Sequence, residues 1–136
     1  MSQENVELVQ RAYKAFDDAG FSGAAGLDFG AFDEDIEVDT SKRPFDANVF
    51  CGHDGLREFL SLQRGIGKRR RLEPQEFISV DEDRVVVATR IVSVGRDEVK
   101  TVSHAASLWT LHAGKITHVK LFQHKGEALA AVGLSN

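Results

Sequence analysis

Val85-Val86-Val87-Ala88-Thr89-Arg90-Ile91-Val92-Ser93-Val94 is the stretch on which the fold turns. A run this apolar and β-branched reads as a strand covered on both faces. Arg90 is the exception within it. Side chains alternate along a strand, so Val86, Ala88, Arg90 and Val92 share one face, and an unpaired guanidinium buried there costs roughly several kcal/mol. Arg90 therefore needs a partner or a cavity. We read it as the wall of a pocket; an ion pair with a carboxylate elsewhere in the chain, or a place at a dimer seam, weighs about as much.

Outward from this strand, apolar and β-branched residues recur in long stretches over about 70–80, 84–94, 98–111 and 115–124. Turn signals separate them at Asp81-Glu82-Asp83, Gly95-Arg96-Asp97 and His112-Ala113-Gly114. That spacing predicts an antiparallel meander. Before it, Val6, Val9, Tyr13 and Phe16, with Leu8, Ala12 and Ala15 beside them, recur at three- and four-residue intervals after Ser2, an N-cap residue type. They predict an amphipathic first helix. The glycine-rich stretch over 18–26 reads as a loop, followed by a helical turn from Leu27 to Phe32. Ile36-Glu37-Val38-Asp39-Thr40 alternates as a short strand that ends before Pro44. Gly52-His53-Asp54-Gly55-Leu56-Arg57-Glu58-Phe59-Leu60 reads as a turn feeding a second helix, ended by Gly65 or Gly67, and the tail from Gly126 as a short helix stopped at Gly133. Helices followed by four strands give an α+β fold in which the sheet seals itself by curling around the helices. The result is a cone-shaped hole, a usual place for a small molecule.

Composition narrows the function classes. At 136 residues, 42% of them hydrophobic and nine of them Phe, the chain reads as a single domain over 1–136 with a real core. A formal net charge of -4 argues against nucleic acid as a partner, because phosphate affinity needs a basic surface. The run Lys68-Arg69-Arg70-Arg71 is read as a solvated strand entry. No stretch approaches the roughly 20 apolar residues of a membrane span, and Met1-Ser2-Gln3-Glu4 is unlike a signal peptide. With one cysteine, Cys51, no intramolecular disulfide is available, and the expected location is the cytoplasm. Glycine loops for phosphate, a serine nucleophile elbow and a nucleotide fingerprint are all missing from the sequence, so no cofactor is expected.

Several segments carry a resemblance: Val9-Gln10-Arg11-Ala12-Tyr13-Lys14-Ala15-Phe16, Asp35-Ile36-Glu37-Val38-Asp39, Gly52-His53-Asp54-Gly55-Leu56-Arg57-Glu58-Phe59 and Leu108-Trp109-Thr110-Leu111-His112-Ala113-Gly114-Lys115-Ile116. Over nearly its whole length the chain resembles the nuclear transport factor 2-like superfamily, in its SnoaL-like and ketosteroid-isomerase-like branch. The resemblance implies a cone-shaped, curved antiparallel sheet packed around N-terminal helices, a cystatin-like α+β barrel, with a deep pocket. It also implies a homodimer through the outer sheet face. Members include isomerases, cyclases, dehydratases, epoxide hydrolases and non-catalytic binders. Steroid-type isomerisation needs a carboxylate base at the end of the first strand and, across the cavity, a Tyr hydroxyl with a protonated carboxyl group. The position matching the base is Thr40, with Asp39 one residue off. Ser107 matches the second carboxyl group, and Ala12 matches the tyrosine, with Tyr13 adjacent. That chemistry is therefore not expected unless the register slips by one residue.

A three-residue loop at His112-Ala113-Gly114 would oppose Trp109 with Thr117, Ser107 with Val119, Ala105 with Leu121 and Ser103 with Gln123. If that face is concave, Ser103, Ser107, Trp109, Gln123 and Arg90 line the hole and suit an anionic or carbonyl-bearing ligand. The opposite face would carry His104, His118 and His124 with Lys120 and Phe122, histidines too widely spaced for a metal site. His53 is read as a capping or packing residue ahead of a base. The expected function is a small-molecule-binding cone, acting as a cofactor-free acid/base enzyme of isomerase, cyclase or dehydratase type. Asp39 would be its base if it faces inward, and Arg90, Tyr13, Thr40, Ser103, Ser107, Trp109 and Gln123 its pocket. The alternative is a non-catalytic ligand-binding or dimerisation domain of the same fold.

Overall fold

The computed structural model describes residues 2–19, 29–42, 48–64, 69–95 and 97–134. The glycine-rich loop expected over 18–26 lies from residue 20 onward outside the described residues, as do Pro44, Gly65, Gly67 and Lys68, and residues 18 and 19, expected in that loop, still belong to the first helix. The first helix, α1 (Ser2–Ala19), is followed by a 3₁₀ turn at Phe29–Ala31 and strand β1 (Phe32–Asp39). A short β2 (Val49–Cys51) leads directly into α2 (Gly52–Arg64). Then come β3 (Arg69–Ser79), β4 (Arg84–Val94), β5 (Lys100–His112), β6 (Lys115–Phe122) and a terminal α3 (Lys125–Ala131).

The strands form one curved sheet in the order β2-β1-β6-β5-β4-β3. From β3 to β6 it is the expected meander. Two features differ from the expectation: β1 lies parallel to β6, making the sheet mixed, and the sheet is not closed into a barrel. Both differences come from pairings between segments far apart in sequence, which local periodicity does not encode.

Alternation along β4 sorts the molecule into two faces. Val85 and Val87 turn inward to a core with Val9, Ala12 and Tyr13 of α1, Ile36 and Val38 of β1, Leu56 and Leu60 of α2, and Trp109 and Leu111 of β5. Val86 turns the other way, into a second cluster with Ala106, Phe122, Ala128 and Leu129 beneath α3. Each fully buried valine of this strand contributes roughly 1.5–3 kcal/mol of hydrophobic stabilisation. The run Val85-Val86-Val87 is continuously apolar because α1 and α2 cover one face of the sheet and α3 the other.

Local geometry explains two glycines. At Gly55, an added Cβ would lie 2.9 Å from the Phe50 carbonyl carbon, so α2 approaches β2 as closely as it does only because this position has no side chain. Gly114 has φ +77° and Ala113 φ 51°, so the β5–β6 hairpin turns through two left-handed residues, a type I′ geometry, rather than the expected three-residue loop. A bulge between Thr110 and Leu111 adds a second offset, and Trp109 pairs with Val119 and Ser107 with Leu121. The two offsets sum to an even shift. Beyond the bulge the side chains of the hairpin therefore keep the face expected for them, although their partners change; between the turn and the bulge the face of β6 is reversed, and Ile116 joins Leu111 in the inner core.

Candidate functional site

The inner face holds a chain of buried polar groups at the middle of the sheet. α1 supplies Tyr13, β4 Thr89, and β5 Ser107 and Trp109, all buried. Trp109 Nε1 donates to Ser107 Oγ at 2.8 Å, Ser107 Oγ and Tyr13 Oη share a hydrogen bond of 2.9 Å, and Thr89 Oγ1 donates to Tyr13 Oη at 3.4 Å. Sequence spacing assembles this group. Tyr13 stands four residues after Val9 on the buried stripe of α1, and Ser107 and Trp109 are two apart on one face of β5. The Tyr13 ring packs at 5.5 Å from the Trp109 ring and edge-on at 6.2 Å from Phe77. Burial pushes the Tyr13 hydroxyl above its usual pKa of 10.0, against the opposing pull of its hydrogen bonds to Ser107, Thr89 and Trp109. Tyr13 is thus held neutral as a hydrogen-bonding group.

Thr40 faces inward at the end of β1 and is buried, with its Oγ1 donating to the Asn48 carbonyl at 3.1 Å and accepting from the Asn48 N–H at 3.0 Å. Among the described residues, the buried polar side chains other than Tyr13 and Trp109 are Thr40, Thr89 and Ser107, and none carries a charge. Nor is any buried side-chain nitrogen or oxygen among them left without a partner.

Two expected site residues lie on the outer face instead. Arg90 points away from Tyr13 and donates to Glu73 Oε1 at 2.9 Å across the β3–β4 ladder, with 40% of its side chain exposed. The observed partner is a carboxylate, the ion-pair alternative for this residue, and the placement in a pocket wall is corrected. A guanidinium fits in an apolar strand here because the outer face beyond α3 stays wet and a cross-strand acid is available. Asp39 also turns outward, beside Lys120, the residue it pairs with on β6, at 3.9 Å. Partial burial alone would raise its pKa. The hydrogen bonds from Ser41 and the charges of Lys120 and Lys42 together outweigh that effect and hold the carboxyl below its usual range. A carboxylate of lowered pKa, facing away from the cone, is poorly suited to act as its base.

The remaining expected residues separate along the sheet. Ser103 is exposed on β5 and paired across to Ile91 of β4, and Gln123 lies just past the end of β6, exposed, its Nε2 donating to the Lys42 carbonyl at 3.3 Å. Ser103 and Gln123 do not pair, because β6 ends at Phe122. Of the expected set, Tyr13, Ser107 and Trp109 come together; Thr40 is inward but apart; Ser103, Gln123, Arg90 and Asp39 stand elsewhere. The sequence reading missed Thr89. Its signal was present, since Thr89 is the polar residue between Val87 and Ile91 on the face of β4 opposite Arg90.

His53 has the packing role read for it, with Nε2 hydrogen-bonded to the Phe32 carbonyl at 2.9 Å and its ring 5.7 Å from that of Phe29. His104, His118, Lys120 and Phe122 do share the outer face, where His118 meets Glu37 at 3.4 Å. Cys51 is exposed. Among the described residues no helix is long and apolar enough to cross a membrane.

No family sequence model and no curated protein matches the chain. Solved structures do. TerC co-crystallized with polyporic acid superposes with a TM-score of 0.73 at 23% identity, covering 95% of this chain and 98% of that one. An NTF2-like protein of unknown function from Burkholderia pseudomallei superposes with a TM-score of 0.71 at 18% identity, over 96% and 98%. A Mycobacterium tuberculosis protein in complex with estradiol-17beta-hemisuccinate gives 0.68 at 12% identity, over 90% and 95%. At these identities the likeness speaks to architecture, and the α+β sheet and helices described above have the nuclear transport factor 2-like fold.

Proposed function

We propose that this chain binds a small, uncharged organic molecule on the inner face of its sheet, a ring compound bearing hydroxyl or carbonyl oxygen. The observation that carries this reading is the buried Thr89–Tyr13–Ser107–Trp109 hydrogen-bonded chain, set among the apolar and aromatic side chains of the inner core. Aromatic walls with a few placed hydroxyl groups recognise such molecules by shape and one or two hydrogen bonds. The anionic ligand expected while Arg90 was placed in the wall loses its counter-charge. Ligands bound by structures of the same fold, polyporic acid in one and an estradiol ester in another, support the same general use of the cone.

Binding, rather than acid/base turnover, is the better reading, because Asp39 faces Lys120 on the outer face. The outer-face homodimer implied by the resemblance has no part in it, since α3 already sits on the middle of that face through Ala128 and Leu129. A cytosolic location remains part of the reading, supported by a single, exposed cysteine.

Trp109 is the chain's one tryptophan, so its fluorescence reports on this wall directly. Titration with estradiol as a neutral probe should quench it saturably, with Tyr13→Phe or Ser107→Ala weakening binding about tenfold, the loss of one hydrogen bond. Arg90→Met should leave affinity unchanged. Saturable binding that disappears in Arg90→Met, or probe conversion that disappears in Asp39→Asn, would overturn the reading.

A further inference from the structure

Beside the buried stripe of α1 that runs through Val9 and Tyr13, a second stripe, Glu4, Glu7, Leu8 and Arg11, recurs at the same three- and four-residue spacing. This second stripe forms one wall of a cleft of about 450 Å³. The opposite wall comes from the β3–β4 turn at Glu82 and Asp83 and from the β5–β6 hairpin between Leu111 and Gly114. That volume is in the range of a small-molecule site. Tyr13, Thr89, Ser107 and Trp109 take no part in the lining, so the cleft is separate from the inner-face site.

The cleft is built of two chemically different parts. Its floor is apolar: Leu111 is 1% exposed and belongs to the inner core, and Leu8 packs half-buried against that core. One end is acidic. Asn5 Nδ2 donates to the Glu82 carbonyl, which ties the β3–β4 turn to the N-terminal end of α1 beside Glu4, and the Leu111 N–H donates to the Asp83 carbonyl at 2.7 Å. Both walls are thus fixed by backbone hydrogen bonds that leave the side chains of Glu82 and Asp83 uncommitted.

The charges of the cleft do not cancel. Asp81, the remaining acid of the turn, is taken by Arg84 at 2.8 Å, and Glu7 stands four residues from Arg11 on the same helix face, where the two charges offset one another. Glu4, Glu82 and Asp83 are exposed, and among the described residues none of them enters an ion pair. A bare metal ion would leave the apolar floor unused, and no group of His, Cys, Asp and Glu among the described residues has the arrangement to hold one.

We infer that this cleft is a second binding site, for a small protonated amine with an apolar body. The ammonium lies at the end carrying Glu4, Glu82 and Asp83, and the apolar body covers Leu8 and Leu111. The two sites then differ in what they select. The inner face takes a neutral oxygen-bearing ring through buried hydroxyl groups, and the cleft takes a cation through exposed carboxylates set beside an apolar floor.

Phenethylamine is a suitable probe, titrated into the full chain and followed by ¹H–¹⁵N NMR. Saturable shifts should appear at the amides of residues 4–8, 82–83 and 111–114, with a Kd of roughly millimolar order or tighter. 2-Phenylethanol, which has the same body without the charge, should bind roughly tenfold more weakly, and added salt should weaken the amine because exposed charges are screened. Glu82→Gln combined with Asp83→Asn should weaken phenethylamine about tenfold while the amide spectrum away from the cleft stays unchanged. Shifts that never saturate, shifts that ammonium chloride reproduces at the same concentration, or an affinity indifferent to the double substitution would each overturn the inference. Estradiol binding is read separately through Trp109, so failure of the inner-face reading leaves this test unaffected.

Discussion

The two faces of β4 solve the same problem by different means. Facing inward, Thr89 is enclosed and joined to Tyr13, Ser107 and Trp109, and no charge lies in that group. Facing outward one residue later, Arg90 keeps part of its guanidinium in water and takes Glu73 from the neighbouring strand. A strand that is apolar along most of its length can thus carry a neutral hydrogen-bonded site on one side and an ion pair on the other. The lesson is that an odd residue in a core-like run says where a face needs a partner before it says what the face is for.

The sharpest way to break the contrast is to empty the inner face. Trp109→Ala should cost about 3–5 kcal/mol in urea denaturation, because a large buried ring is lost and the Ser107 hydroxyl loses its donor. A cost near zero would mean that the wall is solvent-filled rather than packed. Next, Ser107→Ala leaves the Trp109 N–H and the Tyr13 hydroxyl short of a buried partner, for about 1–3 kcal/mol. Arg90→Met on the outer face should fall within about 1 kcal/mol of the unaltered protein, since a half-exposed ion pair contributes little and Arg71 still lies 3.7 Å from Glu73. A larger cost for Arg90→Met than for Ser107→Ala would reverse the comparison.

The smallest effect expected is on the acid limb. The folded pKa of Asp39 lies below the ordinary value of 3.8, so its contribution to stability is complete above that pH and is lost as the pH falls through the lower folded value. Denaturation of Asp39→Asn should accordingly converge with that of the unaltered protein in strong acid and separate from it above pH 4. An NMR titration of Asp39 with a midpoint above 3.8 would contradict this placement.

Much of this was legible in the sequence because it is local. The 3.6-residue stripe of α1 and the two-residue alternation of β3 to β6 follow from covalent geometry, and they put Ser107 and Trp109 on the inner face together. The hairpin shows the limit. The residue pairing depended on a two-residue turn and a bulge, neither of which alternation encodes; beyond the bulge the faces came out as expected only because the two offsets are together even, while Ile116, between turn and bulge, is reversed. Arg90 and Asp39 were misplaced for another reason. Strand alternation groups Arg90 with Val86, and Asp39 with Glu37, but which group turns toward α1 is set by long-range packing. The parallel pairing of β1 with β6 was likewise out of reach of local pattern.

Tyr13 is the chain's one tyrosine, so tyrosinate absorbance near 295 nm reads a single site at the centre of the inner face. Its folded pKa is raised above 10.0, so this contribution to stability should be complete below pH 10 and should be lost as the pH rises through the higher folded value, because the unfolded chain ionises more readily than the folded one. In a spectrophotometric titration of the folded protein the tyrosinate signal should be less than half developed at pH 10, with its midpoint above 10.0. Reversible ionisation centred at 10.0 in a protein that stays folded would contradict the enclosed, hydrogen-bonded inner wall on which the proposed binding site rests.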